Sequence, residues 1–193
     1  CYRDVDRYDK FLNVNNLDKI FIPEQGNVDE EIYNLMYDNH RWGLDDKELY
    51  DIAVKSRKSS DNDKPFVDIL MSLSTHEPFI ILDGQEKYEQ KVKEILENST
   101  TVSKKERTII TKNLNVFACY LYMDECVKNL INSYKKMGKY DNTIFVITGD
   151  HRMGMLNTGN VLRSFNVPML IYSPLLKENK QMNAVVSHYD ITP

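Results

Sequence analysis

The sequence predicts an α/β fold with a largely parallel sheet. Three observations carry this. Helical stretches alternate with short strand-like runs; the runs Phe66–Leu73 and Asn142–Thr148 are mostly apolar rather than alternating; and each ends in a cluster of polar, chemistry-bearing residues. Continuous apolar strands between helices are the pattern of a sheet covered on both faces, and ligands in such sheets gather at the carboxyl ends of the strands.

In chain order, Lys19–Ile22 reads as a short strand closed by Pro23, and Asn27 opens a helix through Tyr37 with acids in its first turn. His40 to Gly43 forms a loop. Asp45 or Asp46 caps a second helix, with Leu49, Ile52 and Ala53 as its apolar stripe. A polar loop from Ser59 to Lys64 leads to the strand Phe66–Leu73, which delivers Ser74-Thr75-His76-Glu77-Pro78-Phe79. Glu86–Asn98 is a charged helix with Tyr88, Val92, Ile95 and Leu96 on one side. Phe117–Met137 is the strongest helix, carrying Phe117, Leu121, Val127, Leu130, Ile131 and Tyr134 at helical spacing and Gly138 as its stop. Asn142–Thr148 and Val167–Tyr172 supply the last two strands.

Composition excludes several classes. Of the 193 residues, 41% are hydrophobic and 28% charged, as in ordinary globular domains and unlike disordered or collagen-like chains. The formal net charge of -4 argues against nucleic acid as a partner, which needs a basic face. No apolar run reaches membrane-spanning length; Val167–Leu176 is broken by Pro168 and Pro174. Three cysteines make no disulfide framework. Cys119 and Cys126 lie about 10 Å apart along one helix, too far to bridge, and read as small buried side chains. Cys1 invites comparison with a sulfatase-type cysteine signature, but Cys1-Tyr2-Arg3-Asp4-Val5 does not fit it.

Two strand ends carry groups suited to chemistry, Thr75-His76-Glu77 and Gly149-Asp150-His151. Asp150 and His151 offer one hard oxygen and one imidazole nitrogen, a donor pair that suits Mn, Zn, Mg or Fe. The dipeptide alone fits better a loop Asp capping the next turn beside an unrelated His. His76 fits a hydrogen-bonded strand-end histidine as well as a ligand contact. Trp42 fits packing as well as a binding edge. Arg152 could face an anionic substrate, and His188 cannot be placed from periodicity.

Taken together, these segments resemble a known family. Asp141–His151 is similar to the metal-binding strand of the sulfatase branch of the alkaline phosphatase superfamily. Ser72–Phe79 resembles the histidine-bearing segment of its lipoteichoic acid synthase-like members, and Trp42-Gly43-Leu44-Asp45-Asp46 their loop before a helix. Val167–Pro174 and Ser187–Pro193 resemble the late strand and closing turn, so the motifs occur in family order from Trp42 onward.

The resemblance implies an alkaline phosphatase-like three-layer sandwich, of which residues 1–193 form the C-terminal portion. It implies Asp150 and His151 as ligands of a divalent metal, Mn first, with Mg, Ca or Zn as alternatives. His76, Trp42 and Arg152 would contact substrate. The reaction implied is transfer of a glycerophosphate or phosphoethanolamine unit from a phospholipid donor. The alternatives are sulfate-ester hydrolysis on the same fold and a non-catalytic ligand-binding relative. The family's threonine nucleophile and earlier carboxylate ligand have no recognisable counterpart. The expectation is therefore part of a larger enzyme, anchored in the membrane through a missing N-terminal region and working at its extracytoplasmic face. Arg152-Met153-Gly154 also departs from the aromatic-glycine pair usual after the metal ligands.

Overall fold

The computed structural model describes residues 29–31, 33–34, 43–59, 64–153 and 165–191. The predicted strand Lys19–Ile22, most of the helix from Asn27, and Cys1, His40 and Trp42 lie outside these residues. The chain divides into two compact units, Cys1–Ser133 and Tyr134–Pro193, each taken by itself.

In the first unit, helix α1 spans Asp46–Lys58. Asp45 caps it by accepting the Asp46 amide, and acids begin it while Lys55, Arg57 and Lys58 end it, as the helix dipole favours. Its buried line is Asp46, Tyr50 and Val54, four residues apart; the predicted stripe of Leu49, Ile52 and Ala53 is half-buried beside it.

No strand forms over residues 65–73, where a buried one was predicted. Val67, Ile69 and Met71 are exposed, Val67 at 87%. The segment is held from its other side, where Arg57 lies 3.7 Å from the Phe66 ring centroid and pairs with Asp68. An apolar run reports a tendency to be buried, and only a neighbouring strand turns it into a ladder.

Helix α2, Gln85–Asn98, follows Gly84, whose φ of 89° is the left-handed conformation that glycine tolerates. It buries Tyr88, Val92 and Leu96 as predicted, while Ile95 is exposed. Helix α3, Lys104–Lys112, was not predicted. It buries no residue, so it has no apolar stripe to read; a capping box between Ser103 and Glu106 starts it. From α3, Arg107 donates to the carbonyls of Leu96, Ser99 and Val102, closing the C-terminal end of α2.

Helix α4, Leu114–Lys136, buries Tyr134 as predicted but otherwise packs through different residues from those predicted. Val116, Ala118, Cys119, Tyr122 and Cys126 are its buried residues within this unit. Small side chains let a helix approach closely, so the larger Phe117 and Leu121 stay half-buried at the margin. Tyr88 and Tyr122 meet edge to face at 5.2 Å, and Lys91 pairs with Glu125 at 3.0 Å, tying α2 to α4. Both cysteines are buried thiols, as the sequence suggests.

The second unit begins at Tyr134, near the end of α4, where Gly138 adopts φ 68° at the predicted stop. A 3-10 turn at Tyr140–Asn142 leads into strand β1, Phe145–Thr148, which pairs with β2, Met169–Tyr172. The pairing is antiparallel, with Phe145 opposite Tyr172 and Thr148 opposite Met169. It is the one sheet among the described residues, whereas the sequence predicted a mostly parallel one. Apolar runs signal coverage but are blind to strand direction. One face is covered by an aromatic group, with Tyr134 edge to face on Phe145 at 5.3 Å and Tyr140 bonded to Tyr172 through their hydroxyls at 2.6 Å. On the other face Val146 and its cross-strand partner Ile171 are exposed.

Candidate functional site

In the first unit, His76 sits at the junction of two tight turns. Its amide donates to the Leu73 carbonyl at 3.0 Å, and its own carbonyl accepts the Phe79 amide at 2.8 Å. The Glu77–Pro78 bond between them is cis, and Phe79 has φ 58°. The imidazole Nδ1 lies 2.8 Å from the Glu77 carbonyl oxygen, which only accepts, so Nδ1 carries the proton and Nε2 the lone pair.

Beneath this loop lie three polar side chains, Asp45, Asp46 and Ser74, with exposures of 2%, 0% and 0%. Asp46 Oδ1 accepts the amides of Leu73 at 2.9 Å and Ser74 at 3.0 Å. Ser74 Oγ donates to Asp45 Oδ1 at 2.6 Å, and Asp45 Oδ2 accepts the Leu82 amide at 2.9 Å. Among the described residues, Asp46 Oδ2 has no hydrogen-bond partner. Burial, only partly offset by the two amide bonds, pushes the Asp46 carboxyl above the usual aspartate range. Each hydrogen bond to such a charged acceptor contributes about 1.5–3 kcal/mol.

In the second unit, β1 ends at Thr148 and the chain turns out through Gly149, Asp150 and His151. A Cβ on Gly149 would stand 3.3 Å from the His151 carbonyl oxygen, so glycine fits this tight exit. Thr148 Oγ1 donates to the Pro168 carbonyl at 3.0 Å, and His188 Nε2 donates to the Gly149 carbonyl at 2.8 Å. The His151 amide holds Asp150 Oδ1 at 2.8 Å, and Asp150 Oδ2 stands 3.8 Å from His151 Nε2. His151 Nδ1 donates to the Arg152 carbonyl at 2.8 Å, which puts the lone pair on Nε2.

These two residues fit a divalent cation. A backbone carbonyl on the far ring nitrogen is the support that metal-bound histidines ordinarily have. Metal–ligand bonds of about 2.0–2.2 Å allow two donors on one ion to stand up to about 4.2 Å apart, and 3.8 Å lies within that. Both side chains are exposed, and among the described residues no group of three or more histidine, cysteine or acidic side chains could hold a metal.

The predicted site residues therefore fall into three groups. Asp150, His151 and Arg152 share one loop in the second unit. His76 belongs to the first unit. Trp42 lies outside the described residues. Sequence reading missed the grip of Asp45 and Asp46 on the His76 loop, although it gave one of them the helix cap. It also left His188 unplaced, and nothing in its spacing points to Gly149.

Residues 3–193 match the family model described as Sulfatase. The chain belongs to the Sulfatase family. Among relatives of this Sulfatase-family chain, the lipoteichoic acid synthase-like YvgJ of Bacillus subtilis (strain 168) is 30% identical over 110 residues, 57% of this chain and 15% of the relative. The lipoteichoic acid synthase of Staphylococcus aureus (strain USA300) is 28% identical over 123 residues, 60% of this chain and 17% of the relative. The chain thus matches about a sixth of the length of these curated relatives. A solved protein in the alkaline phosphatase superfamily from Vibrio parahaemolyticus is 22% identical, covering 79% of this chain and 30% of its own, with a TM-score of 0.44. The sequence expectation of family holds. No helix among the described residues is long and apolar enough to cross a membrane.

Proposed function

We propose that this chain supplies part of the active centre of a metal-dependent phosphotransferase that moves a glycerophosphate or phosphoethanolamine unit from a lipid donor. The observation that carries the reading is the Asp150–His151 pair: two donors 3.8 Å apart, with the histidine tautomer set for coordination. The names of the matching relatives support the same choice of substrate class. Asp150 Oδ2 and His151 Nε2 hold the cation, with Mn²⁺ preferred. The cation's contribution, when bound, is Lewis-acid stabilisation of charge on a phosphoryl oxygen.

The chain's own groups do the rest. Gly149, pinned by His188, fixes where the two donors leave the strand. Arg152 adds positive charge beside them for an anionic headgroup. His76, with its lone pair on Nε2, accepts a hydrogen bond from a hydroxyl of the glycerol unit, and Trp42 is a further substrate contact. The nucleophile and remaining ligands lie outside the described residues, in a protein that works at the extracytoplasmic face of a membrane. Two ligands alone hold a metal weakly.

Sulfate-ester hydrolysis is the competing reading, favoured by the family model's own description. Binding of headgroup analogues separates the two. With diamagnetic Mg²⁺ present, glycerol 1-phosphate should perturb the His76 and His151 resonances in solution NMR, and 4-nitrophenyl sulfate should not. The reverse preference would overturn the phosphotransfer reading.

A further inference from the structure

The network below His76 is larger than a helix cap requires. Capping α1 needs one acceptor for one orphan amide, and Asp45 Oδ1 meets that need at Asp46 N. The remaining bonds all leave the helix and end on the chain either side of His76. Asp46 Oδ1 takes the amides of Leu73 and Ser74 on the entry side. Asp45 Oδ2 takes the Leu82 amide on the exit side, and Ser74 Oγ locks the two carboxylates into one unit through Asp45 Oδ1. Both ends of the loop 74–82 are thus gripped from a single rigid point, the first residues of a helix. All three side chains are withdrawn from solvent, so water does not compete for these bonds.

We infer that Asp45 and Asp46 are positioning residues that fix His76 and its Nδ1-protonated tautomer by clasping both ends of its loop. The reasoning is geometric. The Glu77 carbonyl can accept from His76 Nδ1 only while the turn from Leu73 to Phe79 keeps its shape. That turn is anchored by the Leu73 and Ser74 amides, whose acceptor is Asp46. Loosening the anchor frees the turn and with it the ring. The importance of this clasp to function rests on the proposed role of His76 as a substrate contact.

The test follows the imidazole ¹⁵N signals of His76 in the full 193-residue chain, assigned by their loss in His76→Gln. Wild type should show the pattern of a single tautomer protonated at Nδ1. Asp46→Ala, which removes the acceptor of both amides, should replace it with the averaged pattern of a mobile ring. Asp46→Asn keeps an oxygen at the Oδ1 position and should retain the wild-type signal. Ser74→Ala removes the hydroxyl that donates to Asp45 and accepts the Asp46 amide while leaving Asp46 Oδ1 on both backbone amides, and should give an intermediate shift, which serves if Asp46→Ala does not fold. A purely structural role would lower the melting temperature without moving the tautomer signal. An unchanged His76 signal in a folded Asp46→Ala or Ser74→Ala chain would overturn the clasp. Adding glycerol 1-phosphate with diamagnetic Mg²⁺ to wild type tests the His76 role separately, since its failure would leave the tautomer comparison intact.

Discussion

His188 Nε2 donates to the carbonyl oxygen of Gly149 at 2.8 Å, joining the 3-10 turn His188–Ile191 to the loop that carries Asp150 and His151. Thr148 Oγ1 stands 3.4 Å from the same ring nitrogen. The bond holds the backbone one residue before the proposed metal donors. His188→Ala should therefore weaken Mn²⁺ binding several-fold while costing only about 0.5–1.5 kcal/mol of stability, the usual contribution of one hydrogen bond. Parallel metal titration and urea unfolding check this; equal metal affinity in the variant would remove His188 from the account.

Arg107 closes the end of α2 from outside the helix. Its guanidinium reaches three carbonyls, a task suited to a planar fork of donors. Arg107→Ala should destabilise the chain by about 2 kcal/mol, and Arg107→Lys should recover less than half of that. Urea midpoints of the three proteins provide the measurement.

Cys126 should be chemically silent in the folded chain. Burial pushes its thiol up to about 12, so little thiolate exists at neutral pH. Alkylation by iodoacetamide at neutral pH, followed by peptide mass spectrometry, should label Cys126 only at the rate of unfolding. Rapid labelling under native conditions would contradict the packing of α4.

Two acids pull the pH dependence of stability in opposite directions. The Asp46 carboxyl is raised, chiefly by burial, so its contribution is present at low pH and lost as pH climbs through its raised folded value. Glu125 is lowered, first by its hydrogen bond from Lys91, so its contribution is present above the usual glutamate range and lost as pH falls. Asp46→Asn should therefore gain on wild type as pH rises from about 4 to 7, the span above an ordinary aspartate pKa. Unfolding free energies across that range give the result; a constant difference would show that folding does not raise the Asp46 carboxyl.

Much of this was legible in the sequence, for reasons that vary by element. Helices α1, α2 and α4 announced themselves through caps, periodicity and Gly138, all local signals. The buried line of α2 was read correctly because Tyr88, Val92 and Leu96 are large and apolar. That of α4 was misread because its closest packing uses Ala118 and Cys119, which hydrophobic spacing undervalues. Phe66–Leu73 looked like a strand because its composition is right, yet pairing depends on a neighbour that composition cannot show. At the candidate site, Asp150, His151 and His76 stood out through residue type and placement after apolar runs. The clasp of Asp45 and Asp46 did not, because its partners are backbone amides, which leave no trace in side-chain identity.

Asp150 and His151 together are proposed to hold a divalent cation. Electron paramagnetic resonance of Mn²⁺ titrated into the 193-residue chain reads bound and free ion directly. Weak, saturable binding of one Mn²⁺ is expected, reduced at least tenfold in both Asp150→Asn and His151→Gln, with circular dichroism unchanged. Binding of equal strength in wild type and both variants would rule the pair out as the metal ligands.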